Sequence, residues 1–444
     1  MDVRKIEREF YPVIKENIWL YLSPTEGAIY FGPKRKYSIN PDAQKILLKC
    51  NGENTLYDIV KELTTDTYYF HDNLRKARDF FLFMERENII EFIPFSQKRQ
   101  LNSRGDLNRP RPIHASIELT DKCNFRCVYC YRDSSPQKNH FLLDPISLLG
   151  RLKTLGVRTI ELTGGEPTLH TQFKDILKYS IENFEVVGIL TNGTCLTEDI
   201  LKVTQGFERK IAIQICLDGS CKESVEASTQ IEGSYERIVN SIQLVKKYGL
   251  PLRIGMVIDA PSKINEMEKT LLLAKSLGAN SFIVNPVFNF GRGEDVFCNF
   301  SLDDNQKFQE ELLRLSSDYK DFFNVEGRNL DISISSFNNC GAGHRTIVID
   351  FDRKIRPCPL ILDERLSFGK YTDSDLELFF NYNENLVHFA RLTSPNQETC
   401  TGCIYYHYCI GCLARGLKKA LDIGFKNCKW IKREENAFLM NFFK

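Results

Sequence analysis

Apolar and polar positions alternate in six short runs through the middle of this 444-residue chain, near 115–120, 159–163, 185–190, 211–217, 252–258 and 282–288. Strict alternation over so few residues predicts half-buried strands. Between the runs the apolar spacing changes to the three-and-four repeat of amphipathic helices. One helix is expected to begin at Asp144-Pro145, a cap and first-turn pair, and to stop at Gly156. Regular strand–helix alternation predicts an α/β fold with a parallel sheet, curved into a partial (β/α)6 barrel. In such barrels chemistry sits at the C-terminal ends of the strands. After a helix near 303–318 the alternation is lost, and the chain from about 339 onward is rich in Cys and turn residues.

The first 96 residues follow a different pattern. Ile18–Leu22, Ala28–Phe31 and Lys36–Ile39 read as short strands broken by Pro24, Gly27 and Gly32-Pro33. Pro41 starts a helix, Leu56, Ile59, Val60 and Leu63 form a second apolar stripe, and Leu74, Ala77, Phe81 and Met84 a third. Ile89–Phe92 closes the unit as a strand. Three strands followed by three helices predict a winged-helix-like domain over 1–96. The polar, basic stretch 97–111 reads as a linker. Residues 112–320 then form the barrel and 321–444 a Cys-rich C-terminal domain.

Composition narrows the classes. Hydrophobic content of 42% and charged content of 26% are ordinary for a globular chain. A net charge of +1 gives no pull toward nucleic acid. The third N-terminal helix mixes acids with its bases, so no basic recognition face is expected. No apolar stretch reaches the ~20 residues of a membrane span. The charged start, MDVRKIEREF, lacks a signal peptide's apolar region. A cytoplasmic location is therefore expected, where 15 Cys point to metal ligation rather than disulfides.

The sharpest signal is Cys123-x3-Cys127-x2-Cys130, on a loop after the first core strand. Three thiolates there can hold a 4Fe-4S cluster by three irons and leave the fourth open for chemistry. A zinc knuckle is the competing reading, but zinc usually takes four ligands from two paired motifs. Strand two ends in Gly164-Gly165-Glu166-Pro167, whose glycines allow a close backbone approach. Strand three ends in Thr191-Asn192-Gly193 and strand four in Leu217-Asp218-Gly219. Asn192 and Asp218 suit either diol recognition or a plain turn. Gly291-Arg292-Gly293 follows strand six and matches no dinucleotide fingerprint. Toward the C-terminus lie Cys340, Cys358, Cys400, Cys403, Cys409, Cys412 and Cys428. Four thiolates would satisfy zinc as well as iron.

The three-Cys loop, with Tyr129 before its last Cys, resembles the signature of radical S-adenosylmethionine (SAM) enzymes. The resemblance implies that the open iron chelates SAM, that Gly164, Gly165, Glu166 and Pro167 take the SAM amino group, and that Asn192 and Asp218 line its ribose. Many relatives carry an Arg-Gly pair before the helix start that is Gly233-Ser234-Tyr235 here. Thr229 and Gln230 stand in that place, so no carboxylate anchor is assigned. The C-terminal Cys pattern resembles the SPASM extension of these enzymes. It implies one auxiliary cluster on Cys400, Cys403, Cys409 and Cys428, and a second on Cys340, Cys358 and Cys412. Its fourth ligand is not assigned; Cys298 is a weak candidate and a substrate thiolate a sharper one. The pattern departs in two places: Arg353 stands where the family has Gly, and the final gap is two rather than three. The N-terminal unit resembles the PqqD-like peptide-recognition element, with dimerisation or plain stabilisation as the alternative.

Together these features resemble the subtilosin-type sactipeptide synthases, in domain order and in the stretches 339–343 and 356–358. That resemblance implies three 4Fe-4S clusters and joining of a Cys sulfur to a backbone α-carbon. The expected partners are a Cys-containing precursor peptide, held through its leader, and an electron donor such as flavodoxin or ferredoxin. No nucleic-acid or membrane partner is expected. Two alternatives remain: a β- or γ-carbon thioether or carbon–carbon cross-link as product, and a non-catalytic metal-binding regulator. Cys50, Cys195, Cys216 and Cys221 are given no role beyond that of small buried hydrophobes.

Overall fold

A computed structural model describes residues 3–32, 34–323, 339–372 and 376–443. The chain divides into two compact units, 1–111 and 112–444.

In the first unit, a helix at Val3–Glu9 leads into β1 (Tyr11–Ile14), β2 (Ile18–Leu22), β3 (Gly27–Phe31) and β4 (Lys34–Ile39). Helices Pro41–Leu48, Leu56–Leu63 and Phe70–Arg86 follow, then β5 (Ile90–Ile93) and β6 (Ser103–Gly105). Asn40 caps the first of these three helices, and Thr55 with Asp58 forms a capping box on the second. Leu47, Leu56, Ile59, Phe81 and Met84 meet Leu20 and Ile29 in one buried core. Burial leaves the Cys50 thiol well above its usual range, as a small buried hydrophobe requires. Two elements escaped the sequence pattern. β1 pairs with β5. The stretch read as a linker supplies β6, which pairs with β2 at the sheet edge, giving the order β4-β3-β2-β6. Polar side chains do not prevent this, because strand pairing uses the backbone.

The second unit is built on β7 (His114–Glu118), β8 (Thr159–Thr163), β9 (Val186–Thr191), β10 (Ile211–Cys216), β11 (Leu252–Ile258) and β12 (Ser281–Pro286). All six run parallel, each beside its neighbour in sequence. One face of the sheet is apolar and buried in a single core, with Ile160, Leu162, Val187, Ile189, Ile213 and Ile215 facing the helices. The opposite face carries Glu161, Gln214 and Cys216, all partly buried. This asymmetry is what the alternating runs encode. Asp144 precedes the helix Pro145–Thr154 as expected, but it lies in the left-handed region with φ 52° and its side chain caps nothing. The helix starts on Pro145 alone.

The division drawn at 320/321 is not a structural boundary. β13 (Thr346–Ile349) joins the core sheet parallel to β7, and β14 (Lys354–Arg356) and β15 (Gly369–Lys370) continue it antiparallel. Sequence alternation missed these strands because they are short and stand outside the strand–helix rhythm. The turn between β13 and β14 places Arg353 at φ 64°. That is the conformation glycine supplies most cheaply, and here an arginine adopts it.

The join is pinned by charge. Glu118, the last residue of β7, is fully buried. Its carboxylate meets the Arg356 guanidinium at 2.6 Å and Arg132 at 3.2 Å. Asp350 lies 3.7 Å from the other side of Arg356. The Glu118–Arg356 contact lies off the line of an ideal hydrogen bond, so charge rather than alignment holds it. Removing one partner of such a pair leaves the others buried and uncompensated. Glu118→Ala should therefore cost about 3–5 kcal/mol, read as an earlier urea transition of residues 112–444 in the metal-free chain.

Candidate functional site

The Cys123–Cys130 loop lies at the C-terminal end of β7, which is where a parallel sheet presents its chemistry. The loop has no regular structure, and its neighbours shape it. Gly165 N–H donates to the Thr120 carbonyl at 2.7 Å, and Glu166 N–H to the Lys122 carbonyl at 2.8 Å. A Cβ at Gly164 would lie 2.4 Å from the Thr120 oxygen, and one at Gly165 2.2 Å from the Lys122 oxygen. The glycine pair thus makes room for the Cys loop itself. Arg126 and Val128 donate their N–H groups to the Thr229 and Ser228 carbonyls. Thr229 is buried and Gln230 lies at φ 59°, so this place holds the loop backbone and presents no guanidinium.

Arg292 closes the loop from the far side. Its Nε donates to the Cys127 carbonyl at 2.9 Å, Nη1 to Asp133 at 2.6 Å and Nη2 to the Ser134 carbonyl at 2.8 Å. Gly291, at φ 56°, would carry a Cβ only 2.5–2.6 Å from the Tyr131 and Cys130 carbonyl oxygens. The Gly-Arg-Gly motif is therefore a clasp. Sequence reading noticed it and could not say what it grips.

Burial pushes the Cys123 thiol up to about 12, with Glu166 and Cys130 adding to it. Burial likewise raises Cys127 well above the usual range, helped by Asp218, Cys123 and Cys130. The three thiols therefore lie within electrostatic reach of one another. Metal binding would have to displace their protons, which makes affinity pH-dependent. A fourth thiol belongs to this neighbourhood. Cys216, at the end of β10, is raised by burial and then by Asp218, Glu166, Cys123 and Cys130. Nothing in its sequence context marked it, because only the sheet register brings it here.

Among the strand-end residues, Glu166 is fully buried. Its carboxylate accepts hydrogen bonds from Thr168, from the Thr191 hydroxyl at 2.6 Å and from Asn192 N–H at 2.7 Å. Burial raises its pKa from the ordinary value, and those hydrogen bonds oppose the shift. Pro167 opens a short 3-10 turn. Asn192 Nδ2 donates to Asn124 on the Cys loop at 2.7 Å and lies 3.8 Å from the Cys123 sulfur. Asp218 accepts from the Tyr129 hydroxyl and from Val257 N–H at 2.8 Å. Burial lifts Asp218 to about 6, with the Lys263 charge and these hydrogen bonds pulling back. Both of its oxygens thus have protein partners, and its first duty here is to hold Tyr129. Lys263 is buried, donates to the Asp218 carbonyl at 2.7 Å and pairs with Asp259 at 2.9 Å. None of Glu118, Arg132, Arg356 or Lys263 was singled out from sequence. A charge inside a strand that otherwise reads as buried was the available signal for Glu118.

The C-terminal thiols fall into two groups. Cys400 is raised by burial to about 11, with Cys403 and Cys428 adding. Cys409 is raised by burial to about 12, where Arg415 opposes and Cys400, Cys403 and Cys428 add. These four thiols line one cavity with Tyr405, Tyr406, Lys419 and Trp430. Cys358 is raised by burial, Cys412 and Cys340, and Cys340 by burial and Cys412. Cys340 is nonetheless exposed as a residue. Cys298 is exposed and turns its thiol to the Asp295 carbonyl. Among the described residues no three ligating side chains close on one point at single-ion spacing. A four-iron cube binds thiolates at its separate corners, and Cys sulfurs are the donors it takes.

Residues 117–274 match the Radical SAM superfamily model. The antilisterial bacteriocin subtilosin biosynthesis protein AlbA of Bacillus subtilis is 27% identical, over 96% of this chain and 97% of its own length. The sporulation killing factor maturation protein SkfB of the same organism is 24% identical, over 59% of this chain and 63% of its own. Among solved structures, Streptococcus suis SuiB bound to S-adenosylmethionine superposes with a TM-score of 0.62 at 13% identity, over 95% of this chain and 99% of SuiB. SuiB bound to its precursor peptide SuiA superposes with 0.60 at 14% identity, over 92% of this chain and 97% of SuiB. With the three-Cys loop at the end of the first strand, residues 117–274 carry the match to the Radical SAM superfamily.

Proposed function

We propose that this enzyme installs thioether cross-links from Cys sulfur to backbone α-carbons in a ribosomally made precursor peptide. One observation carries the reading most: three separate thiol groups, on Cys123/Cys127/Cys130, Cys340/Cys358/Cys412 and Cys400/Cys403/Cys409/Cys428, in a chain that aligns end to end with AlbA. The Radical SAM match over residues 117–274 implies SAM and one 4Fe-4S cluster. The two C-terminal groups are assigned one auxiliary 4Fe-4S cluster each, within a SPASM-like part of the second unit. When bound and reduced, the first cluster and SAM supply a 5'-deoxyadenosyl radical that takes hydrogen from the peptide.

The chain's own residues position and exclude. Cys123, Cys127 and Cys130 hold the first cluster. The Gly164–Pro167 strand end and Asn192 face the SAM side, and Asp218 keeps Tyr129 against the loop. Arg292 and the Glu118–Arg132 pair stop the loop from moving. The unit 1–111 is assigned leader binding as a PqqD-like element, by strand addition. SuiB, of the same fold, has been solved with a precursor peptide, which supports a peptide partner here. A flavodoxin- or ferredoxin-type protein would supply electrons. No helix of the described residues is long and apolar enough to cross a membrane, and a cytoplasmic location fits a reduced cluster enzyme.

Co-expression with a Cys-containing precursor peptide under anaerobic conditions tests the reading by intact mass. The expected product has lost two hydrogens per cross-link, its Cys no longer reacts with iodoacetamide, and fragmentation places the bond on an α-carbon. A bond to a β- or γ-carbon, or between two carbons, would keep the enzyme class and replace the product. An unmodified peptide, with no 5'-deoxyadenosine from iron-loaded protein, would sink the reading.

Two substitutions separate ligands from supports. Cys127→Ala should abolish 5'-deoxyadenosine formation and lower bound iron. Arg292→Ala leaves the ligands in place but loosens the loop. It should lower SAM cleavage or cluster affinity by roughly 10–100-fold, the usual effect of losing a ligand's support, as read by 5'-deoxyadenosine formation and iron content.

A further inference from the structure

The helix Leu413–Ile423 starts directly after Cys412 and buries most of its first turns. Arg415 lies on that buried side and is only 3% exposed. Its Nη2 donates to the Ile410 carbonyl at 3.1 Å. Its Nε and Nη1 are buried and have no hydrogen-bond partner among the described residues. Nearby ion pairs join Lys418 to Glu294 and Asp422, Lys419 to Asp422, and Arg433 to Glu398, and none includes Arg415. What does lie beside it is the Tyr408 ring, 5.7 Å from the guanidinium carbon, and Cys409.

A buried guanidinium without a counter-charge is costly. Arginine remains charged in any protein environment, so it cannot escape by losing a proton. Ile410, whose carbonyl takes the Nη2 bond, directly follows Cys409, so the guanidinium sits against the segment that carries this thiol group. Four thiolates around an iron–sulfur core leave a net negative charge, and the two unpartnered donor nitrogens, Nε and Nη1, are of the right kind for cluster sulfur.

We propose that Arg415 is the counter-cation of the cluster assigned to Cys400, Cys403, Cys409 and Cys428, and that its charge and free N–H groups set that cluster's reduction potential. The proposal rests on the auxiliary-cluster reading above. Cluster potentials follow net charge and hydrogen bonds to the sulfurs. A fixed positive charge favours the reduced, more negative state, so losing it must lower the potential. Arg415 acts through the cluster and is a positioning residue for it.

The test uses the full chain with Cys123, Cys127 and Cys130 all replaced by Ala, so that only the C-terminal clusters remain. Potentiometric titration is followed by EPR, with iron counted. Arg415→Met should move one titration to more negative potential by at least tenfold in the reduction equilibrium, about 59 mV for one electron. Arg415→Lys keeps the charge, loses the planar fork, and should move it less. Unchanged titrations in both variants, at full iron content, would overturn the proposal and leave the clusters standing. Absence of iron from the parent three-Ala protein would overturn the auxiliary-cluster reading, and the role of Arg415 with it. A second readout separates tuning from simple packing. Metal-free Arg415→Met should unfold at no lower urea concentration than the metal-free parent, because it removes an uncompensated charge. A clear loss of stability there would make Arg415 a structural residue and count against the proposal.

Discussion

A carboxylate with no access to water ends the first core strand, and two guanidiniums must come to it. Glu118 draws Arg132 from the loop that follows the three Cys, and Arg356 from the strand pair that precedes Cys358. Arg356 is buried and Arg132 half-buried beside it, and the carboxylate could not be buried without them. This one charge cluster therefore ties the Cys loop, the core sheet and the C-terminal strands into a single body. Arg356 also donates to the Pro359 carbonyl at 2.9 Å, so the same side chain supports the Cys358 turn.

The Cys loop shows how a site without secondary structure is made rigid. Its backbone donors and acceptors are taken up by three separate strand ends: Gly165 and Glu166 after β8, Ser228 and Thr229 beyond β10, and Arg292 after β12. Each comes from a different β/α unit. A loop held this way can keep three thiols in place and still leave the space above them for a ligand. The glycines of Gly164-Gly165 and Gly291 serve that packing, since a Cβ at any of them would strike a loop carbonyl. The motif that resembles a ligand-binding signature is thus also what allows the loop to close.

The raised thiols differ in what surrounds them. Burial alone raises many of the thiols, but the secondary causes differ. Cys127 responds to Cys123 and Cys130, Cys358 to Cys412 and Cys340, and Cys409 to Cys400, Cys403 and Cys428. Cys409 and Cys412 are only three positions apart and still fall into different groups. The Gly411 turn between them, at φ 68°, sends their side chains to different neighbours.

The strands of the parallel sheet were legible from sequence because their signal is local: alternation over five to seven residues records which face meets the helices. The three-Cys spacing was legible for the same reason, since one short loop carries all three thiols. The charges that hold the site were not. Glu118 and Arg356 are 238 positions apart (356 less 118), and no local pattern records a partner at that distance. The strand at 103–105 was hidden because backbone pairing leaves no mark on side-chain chemistry. The sequence by itself determined the element types, the cysteine inventory and the motifs at the strand ends. Only the tertiary structure decided which carboxylate meets which guanidinium, that Cys216 approaches the first thiol group and that Arg415 is left without a counter-ion. Those are relations between distant segments, and they exist only once burial has removed water as the alternative partner.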